Sequence, residues 1–390
     1  MKKIFTLSLS FTITIAGVVL FSLLSTGIWQ EKPEEIPAKT EIIISMEDTV
    51  TDFGTKNGLS NPLLKDIFRI ASKDDLNRTI SSFNIPPEEI KSRTEKVMVL
   101  KAETESKNWF KIPLKFILWF AALAVAFLLI IRKKINRKVR LLLYISSVTV
   151  FGVILGSDPS PMGTVKDALV LYGINRVIFP PRMIAFIVFM ILVIVANKFI
   201  CSWGCQFGTL QDFIFRLNRN SRDTGALTRQ YKVPFIISNT VRILFLVFFT
   251  AAAFIWSIDL FHNIDPFKIF KPAVLNTMGI AFIALLLILS LFVYRPWCHF
   301  FCPFGLAGWL GEKISIFKIK VNYDTCIACS ACSKACPSTV MGAILKRDKI
   351  IPDCYSCGTC IDACPTDSIS FAVGKRPMPP EGKFEKNKKV

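Results

Sequence analysis

The sequence predicts an α-helical integral membrane protein closed by a small C-terminal α+β domain, and three observations carry that prediction. More than half of the 390 residues are hydrophobic, 34 of them phenylalanine, with positive mean hydropathy, which excludes an ordinary soluble chain. The apolar residues gather in stretches of about bilayer-crossing length, from Ile4 to Trp29 and then at roughly 112–131, 141–157, 183–200, 234–257 and 275–294. All 12 cysteines fall between Cys201 and Cys364, and the last eight form two dense runs. The formal charge of +19 does not indicate nucleic acid. The lysines and arginines flank apolar segments, where the positive-inside bias places them.

Taken in order, Lys2 and Lys3 precede an apolar run too long for a typical signal peptide core and without a clear small-residue cleavage site, so residues 1–29 read as an uncleaved anchor helix, with a cleaved signal as the alternative. Residues 30–108 form a polar extracytoplasmic segment that starts with a Pro/Glu-rich linker, Glu31 to Pro37. Thr49 starts a helical pattern that Gly58 stops, Asn61-Pro62 starts another, Ser72 with Asp75 reads as a capping box, and Pro87 opens a longer helix through Lys101. This is the signature of a small helical module that docks on a partner. It contains no nucleophile, metal cluster or phosphate loop.

Residues 109–140 carry the second span and the basic connection Arg132 to Arg140, which the charge bias assigns to the cytoplasm. The remaining loops then alternate: 158–182 and 258–274 lie outside, whereas Arg216, Arg219, Arg222, Arg229 and Lys232 lie inside. Six spans result, with both chain ends cytoplasmic. Arg242 lies just inside its apolar segment and reads as a snorkelling side chain.

The segments 141–220 and 233–312 repeat each other, so that spans three and four correspond to spans five and six. Each contains an outward helix, an external Asp-Pro (Asp158-Pro159, Asp265-Pro266) and an inward helix ending in a C-x3-C motif. Lys198 pairs with Arg295, Cys201 with Cys298, Cys205 with Cys302 and Gly208 with Gly305, all 97 positions apart. Parallel repeats imply a pseudo-twofold axis along the membrane normal. The expectation is that the axis gathers the four sulfurs at the cytoplasmic face, each i,i+4 pair on one helical face. Four such thiols suit a third iron-sulfur cluster or a soft metal such as copper or zinc, with Lys198 and Arg295 as supporting cations; unligated, reduced cysteines are the plainer alternative.

Residues 313–372 contain the remaining cysteines. C-I-A-C-S-A-C-S-K-A-C-P and C-Y-S-C-G-T-C-I-D-A-C-P each match the C-x2-C-x2-C-x3-C-P run of bacterial two-cluster ferredoxins, in which the fourth cysteine serves the other cluster. One [4Fe-4S] cluster is expected on Cys326, Cys329, Cys332 and Cys364, the second on Cys354, Cys357, Cys360 and Cys336. Structural zinc or a disulfide framework explains this spacing and the trailing prolines less well. Residues 373–390 read as a basic disordered tail, with Lys383, Lys386, Lys388 and Lys389 available to anionic lipid. The two histidines, His262 and His299, fall on opposite sides, which argues against a haem held between them.

With these motifs in place, residues Leu141 to Ala372 resemble the membrane polyferredoxins of NapH, NosR and CcoG type, on the strength of C-H-F-F-C-P-F-G and the double ferredoxin run. The resemblance implies two [4Fe-4S] clusters on the eight cysteines, a redox or structural role for the C-x3-C pairs, and a multi-pass inner-membrane location with the ferredoxin domain cytoplasmic. It also implies electron transfer between a cytoplasmic or quinone donor and a membrane or extracytoplasmic acceptor. The partners would be redox proteins and the bilayer, and the chain a quinol dehydrogenase-like component rather than a stand-alone enzyme. A copper-binding reductase that matures another metalloenzyme, and a membrane redox sensor, are the competing functions. Gln206 stands where that family has proline, a departure in the first motif.

Overall fold

A computed structural model describes residues 2–29, 42–70, 72–220 and 223–384. The predicted linker Glu31 to Pro37, Arg222, Lys386, Lys388 and Lys389 lie outside the described residues. Helix α1 (Lys2–Trp29) leads toward a small module with a core of its own, built from Val50, Phe53, Leu64, Ile67, Phe68, Ile80 and Ile90. Its helices are α2 (Val50–Lys56), α3 (Asn61–Phe68) and α4 (Pro87–Glu105). Thr49 and Asp52 close a reciprocal capping box at α2, whereas Ser72 forms no such box: it accepts the Asp74 amide at 3.2 Å ahead of a 3-10 turn, Asp74–Asn77, whose N-cap is Lys73.

The helical body follows: α5 (Lys111–Ile131), α6 (Arg137–Ser147) running on as π-turns Val148–Ile154, α7 (Pro161–Asn175), α8 (Pro180–Ala196), α9 (Phe199–Trp203) and α10 (Gln206–Leu217). After it come α11 (Phe235–Ile255), α12 (Phe261–Ile264), α13 (Thr277–Leu289), α14 (Pro296–Phe300) and α15 (Pro303–Glu312). Prolines open α7, α8, α14 and α15, where the missing amide costs no helical hydrogen bond.

By length and hydropathy α1, α5 and α11 can each cross a membrane; α8 and α13 are apolar but shorter. The shortening has a local cause. Helix α8 stops where Asn197 takes a positive φ (63°), and α13 stops at Ser290, after which a turn leads to Arg295 (φ 46°), the N-cap of α14; in both cases the chain turns back into the body instead of extending the helix. The segment expected as a plain external loop at 158–182 contains α7, started by the Ser160 side chain, which accepts the Gly163 amide at 3.0 Å. At this end of the body, Arg182 binds Glu103 at 2.9 Å and so ties the small module to α8.

At the opposite end sits the cysteine-rich domain. Strands β1 (Phe317–Val321) and β2 (Ile369–Val373) pair antiparallel, Phe317 opposite Val373, and enclose α16 (Ala331–Ala335), α17 (Val340–Lys346) and α18 (Thr359–Asp362). Phe317 and Phe371 pack on Phe127 of α5, with ring centroids 4.9 and 5.8 Å apart. Residues 374–384, expected to be unstructured, instead fold back over this domain. Arg347 pairs with Glu381 at 3.2 Å, Lys383 donates to the Tyr323 carbonyl, and Phe384 packs on Tyr323.

Candidate functional site

The second cysteine run is plugged into the helical body, where Asp353, Cys354, Ser356, Cys357 and Thr359 all find partners. Asp353 accepts from Lys198 Nζ at 2.5 Å and from Arg242 Nη1 at 2.9 Å. The Cys354 amide donates to Glu312 at 3.0 Å, Asn197 donates to Ser356 Oγ at 3.4 Å, and Trp203 Nε1 donates to the Ser356 carbonyl at 3.3 Å. Arg140 Nε reaches the Cys357 carbonyl at 2.9 Å, and Arg216 reaches Thr359 at 3.1 Å.

Charges that look topological in the sequence therefore clamp this domain. Arg140, Arg216 and Arg219 converge on Asp223, and Arg216 also holds Asp212 at 2.7 Å. Arg242 is the clearest correction. Its side chain is 1% exposed and paired with Asp353 rather than snorkelling, because a buried guanidinium is stable only with a charge partner.

Two cavities result. One is lined by Cys326, Cys329, Cys332 and Cys364, with Phe384 over it. The other is lined by Cys336, Cys354, Cys357 and Cys360, with Tyr294 and Tyr355 in its wall. Each therefore takes three cysteines from one run and one from the other. The first is open, with Cys329 exposed; in the second, Cys336, Cys354 and Cys360 are buried. Burial pushes the Cys332 and Cys354 thiols up to about 12, so bonding to metal, rather than the surroundings, must make them thiolates. Among the described residues no three His, Cys, Asp or Glu side chains converge tightly enough for a single metal ion. Soft sulfur donors around a cavity fit a polynuclear iron-sulfur cluster better than one zinc ion.

The C-x3-C motifs are not continuous helix faces. Cys201 lies in α9, the chain breaks at Gly204, and Cys205 is the N-cap of α10; Cys298, Phe301 and Cys302 repeat this build around α14 and α15. The Cys205 amide donates to the Ile200 carbonyl at 2.8 Å and the Cys302 amide to that of Trp297 at 3.0 Å. Glycine permits the tight fold. A Cβ at Gly208 would sit 2.9 Å from the Cys201 carbonyl, and one at Gly305 would sit 2.8 Å from that of Cys298. All four sulfurs are buried and close enough that charge on Cys201, Cys205 or Cys298 bears on Cys302.

Their depth differs from the sequence expectation. At the start of α10, Trp119 Nε1 donates to the Gly204 carbonyl at 2.9 Å, Gln206 donates to that of Ser157 at 2.6 Å, and Phe207 packs on Phe267 of the far-end loop. At its other end Arg216 touches the cysteine-rich domain. Likewise α15 begins beside Phe186 and Phe189 and ends at Glu312 against Cys354. These helices of 12 and 10 residues are half-helices. They are about 15–18 Å long, and they carry Cys205 and Cys302 well inside the body rather than at its cysteine-rich end. The hydropathy pattern missed this because it counts apolar residues without recording that the chain reverses. Both helix N-termini favour negative charge at the sulfurs.

The predicted cations cross between the motifs. Arg295 Nη1 donates to the Cys201 carbonyl at 2.6 Å and Nη2 to Asp212 at 2.7 Å, while Lys198 Nζ donates to the Gly305 carbonyl at 2.6 Å. They bear on Cys201 and Cys298 through space without bonding to the sulfurs. Tyr355 bridges the two regions. It lines the buried cavity, and its ring lies 4.8 Å from the Arg295 guanidinium, 5.4 Å from Lys198 Nζ and 5.6 Å from the His299 ring. Tyr355, Asp353, Asp212 and Asp223 were not singled out from sequence for these roles. For Asp353 a signal existed, since a membrane arginine such as Arg242 requires a carboxylate somewhere.

Known proteins agree with this geometry. Residues 318–374 match the model of a 4Fe-4S dicluster domain, and residues 178–222 and 275–322 each match that of a 4Fe-4S binding domain. YccM of Escherichia coli, named for electron transport, is 29% identical over 40% of this chain and 46% of its own length. The regulatory protein NosR of Pseudomonas aeruginosa is 28% identical over 35% of this chain and 19% of its own length. Methanocaldococcus jannaschii MJ0749, uncharacterized, is 26% identical over 43% of this chain and 64% of its own length. The chain thus spans less than two thirds of the curated relatives it matches, and no solved structure matches it. With apolar helices of membrane-crossing length, two domain types that bind 4Fe-4S clusters and these relatives, the chain is similar to the membrane polyferredoxins.

Proposed function

We propose that this protein carries electrons across part of a bilayer, between a donor at the open cysteine cavity and an acceptor, quinone or protein, reached through the C-x3-C pairs. The observation that carries the reading is Tyr355, whose ring lies in the wall of the buried cavity and against the cations that grip both C-x3-C turns. Two [4Fe-4S] clusters, on Cys326, Cys329, Cys332, Cys364 and on Cys354, Cys357, Cys360, Cys336, would supply the one-electron chemistry. A third iron-sulfur group on Cys201, Cys205, Cys298 and Cys302 suits the two helix N-termini and the crossing cations. The protein's own part is alignment: the Asp353 clamp seats the buried cavity on the half-helices, and Arg295 and Lys198 hold the two turns together.

The six-span reading counts α6 with its π-turns, α8 and α13 alongside the three long helices. Duplication of 141–220 in 233–312 is supported by the matching turns and by two domain matches whose starts lie 97 positions apart. In this reading the cysteine-rich domain is cytoplasmic and the module at 42–105 is outside, where it meets the acceptor. Iron and sulfide analysis with EPR on anaerobically purified protein tests the proposal. About eight irons per chain means two clusters and about ten to twelve adds the third; stoichiometric copper lost on changing Cys201 and Cys298 would replace it with the metal-reductase function.

A further inference from the structure

A cavity of about 340 Å³ opens where the end of α15, the start of β1 and the loop after α17 meet. Its charge is lopsided. Lys313, Lys318, Lys349 and Arg376 face it, against the single carboxylate of Glu312, both of whose oxygens accept the Cys354 amide. Arg376 Nε is spent on the Ile319 carbonyl at 3.2 Å, but its Nη2 stays 3.8 Å from Glu312 with no hydrogen-bond partner among the described residues. Lys318 donates to the Lys313 carbonyl at 3.0 Å, so it is held toward the other cations instead of being turned away.

The remaining wall is apolar, with Trp309, Ile350 and Ile351. Lys313 Nζ sits 4.0 Å over the Trp309 ring, and beside them Leu310 and Ile314 are 55% and 67% exposed. A tryptophan and lysine next to exposed aliphatic residues, at the junction of membrane helices and an extramembrane domain, mark the level of lipid headgroups. We propose that this cavity binds the phosphate of an anionic phospholipid, whose acyl chains lie along Leu310 and Ile314. Nearby basic groups attract such headgroups. The site is independent of what the cysteines hold.

The test uses the full-length protein in detergent, titrated with phosphatidylglycerol or phosphatidylcholine and read by native mass spectrometry. Selective retention of phosphatidylglycerol is expected, weakened about fivefold by each of Lys313→Glu and Lys349→Glu. Both lysines are exposed and outside helix and sheet interiors. If either charge-reversed variant fails to fold, Lys349→Gln carries the same expectation at smaller size. Equal retention of the two lipids, or variants that bind as the parent does, would overturn the proposal. So would displacement of the lipid by millimolar inorganic phosphate, which would make the cavity a site for free anions.

Discussion

The two cysteine cavities share one recipe and differ in everything around it. The one holding Cys354, Cys357 and Cys360 has the more buried cysteines and is anchored by Asp353, Glu312, Arg140 and Arg216, all on or against the helical body. The one holding Cys326, Cys329 and Cys332 faces outward, covered on one side by Phe384. Local spacing groups the cysteines, but long-range ion pairs decide which of two equivalent sets is packed into the helical body and which faces outward.

Breaking each cavity in turn gives the largest effect. Cys360→Ser and Cys329→Ser should each remove about four irons per chain. Only Cys360→Ser should also loosen the domain from the helical body, read as faster proteolysis between 313 and 325. Equal proteolysis in both variants would erase the distinction.

Next comes the clamp. Asp353→Ala leaves Lys198 and Arg242 buried without their carboxylate and should cost about 3–5 kcal/mol, visible as a lowered Tm in detergent. An unchanged Tm would mean that water or lipid already solvates those cations.

A smaller effect is expected at the open side. Phe384→Ala should cost about 1 kcal/mol or less, since the ring is only half-buried, yet it should speed iron loss to a chelator from the open cavity alone. Uniform loss from both cavities would contradict the assigned cover.

Smallest of all is Tyr355→Phe. The Tyr355 hydroxyl is buried with no hydrogen-bond partner among the described residues, so its removal should change stability by less than about 0.5 kcal/mol. A loss above about 1.5 kcal/mol would show that the hydroxyl is bonded in the holoprotein and does more than fill the wall.

Much of this was readable in the chain because it is written in short spacings. The crossed cysteine sets need only the C-x2-C-x2-C-x3-C-P count, the twin motifs need an offset of 97, and the α2 start needs Thr49 and Asp52. What escaped depends on partners far apart in sequence. Arg242 and Asp353 are 111 residues apart, and Arg140 and Asp223 are 83 apart. Neither pair has a local signature, so the arginines resemble membrane-edge charges. The half-helices escaped for a related reason: α10 and α15 are marked by a cysteine and a glycine, not by a drop in hydropathy. The ordering of residues 374–384 rests on Phe384 and Arg347, tertiary contacts a basic tail does not advertise.

The half-helices have an electrical consequence. In the proposed reading, with α10 and α15 standing along the bilayer normal, Cys205 and Cys302 would lie about 15 Å from the cysteine-rich end, roughly halfway through a hydrocarbon layer of about 30 Å. An electron delivered there would traverse about half of any transmembrane voltage. Since a full crossing is worth about 2.3 kcal/mol per 100 mV, the delivery would gain or lose about 1 kcal/mol per 100 mV, and an energised membrane would act on this protein as a throttle.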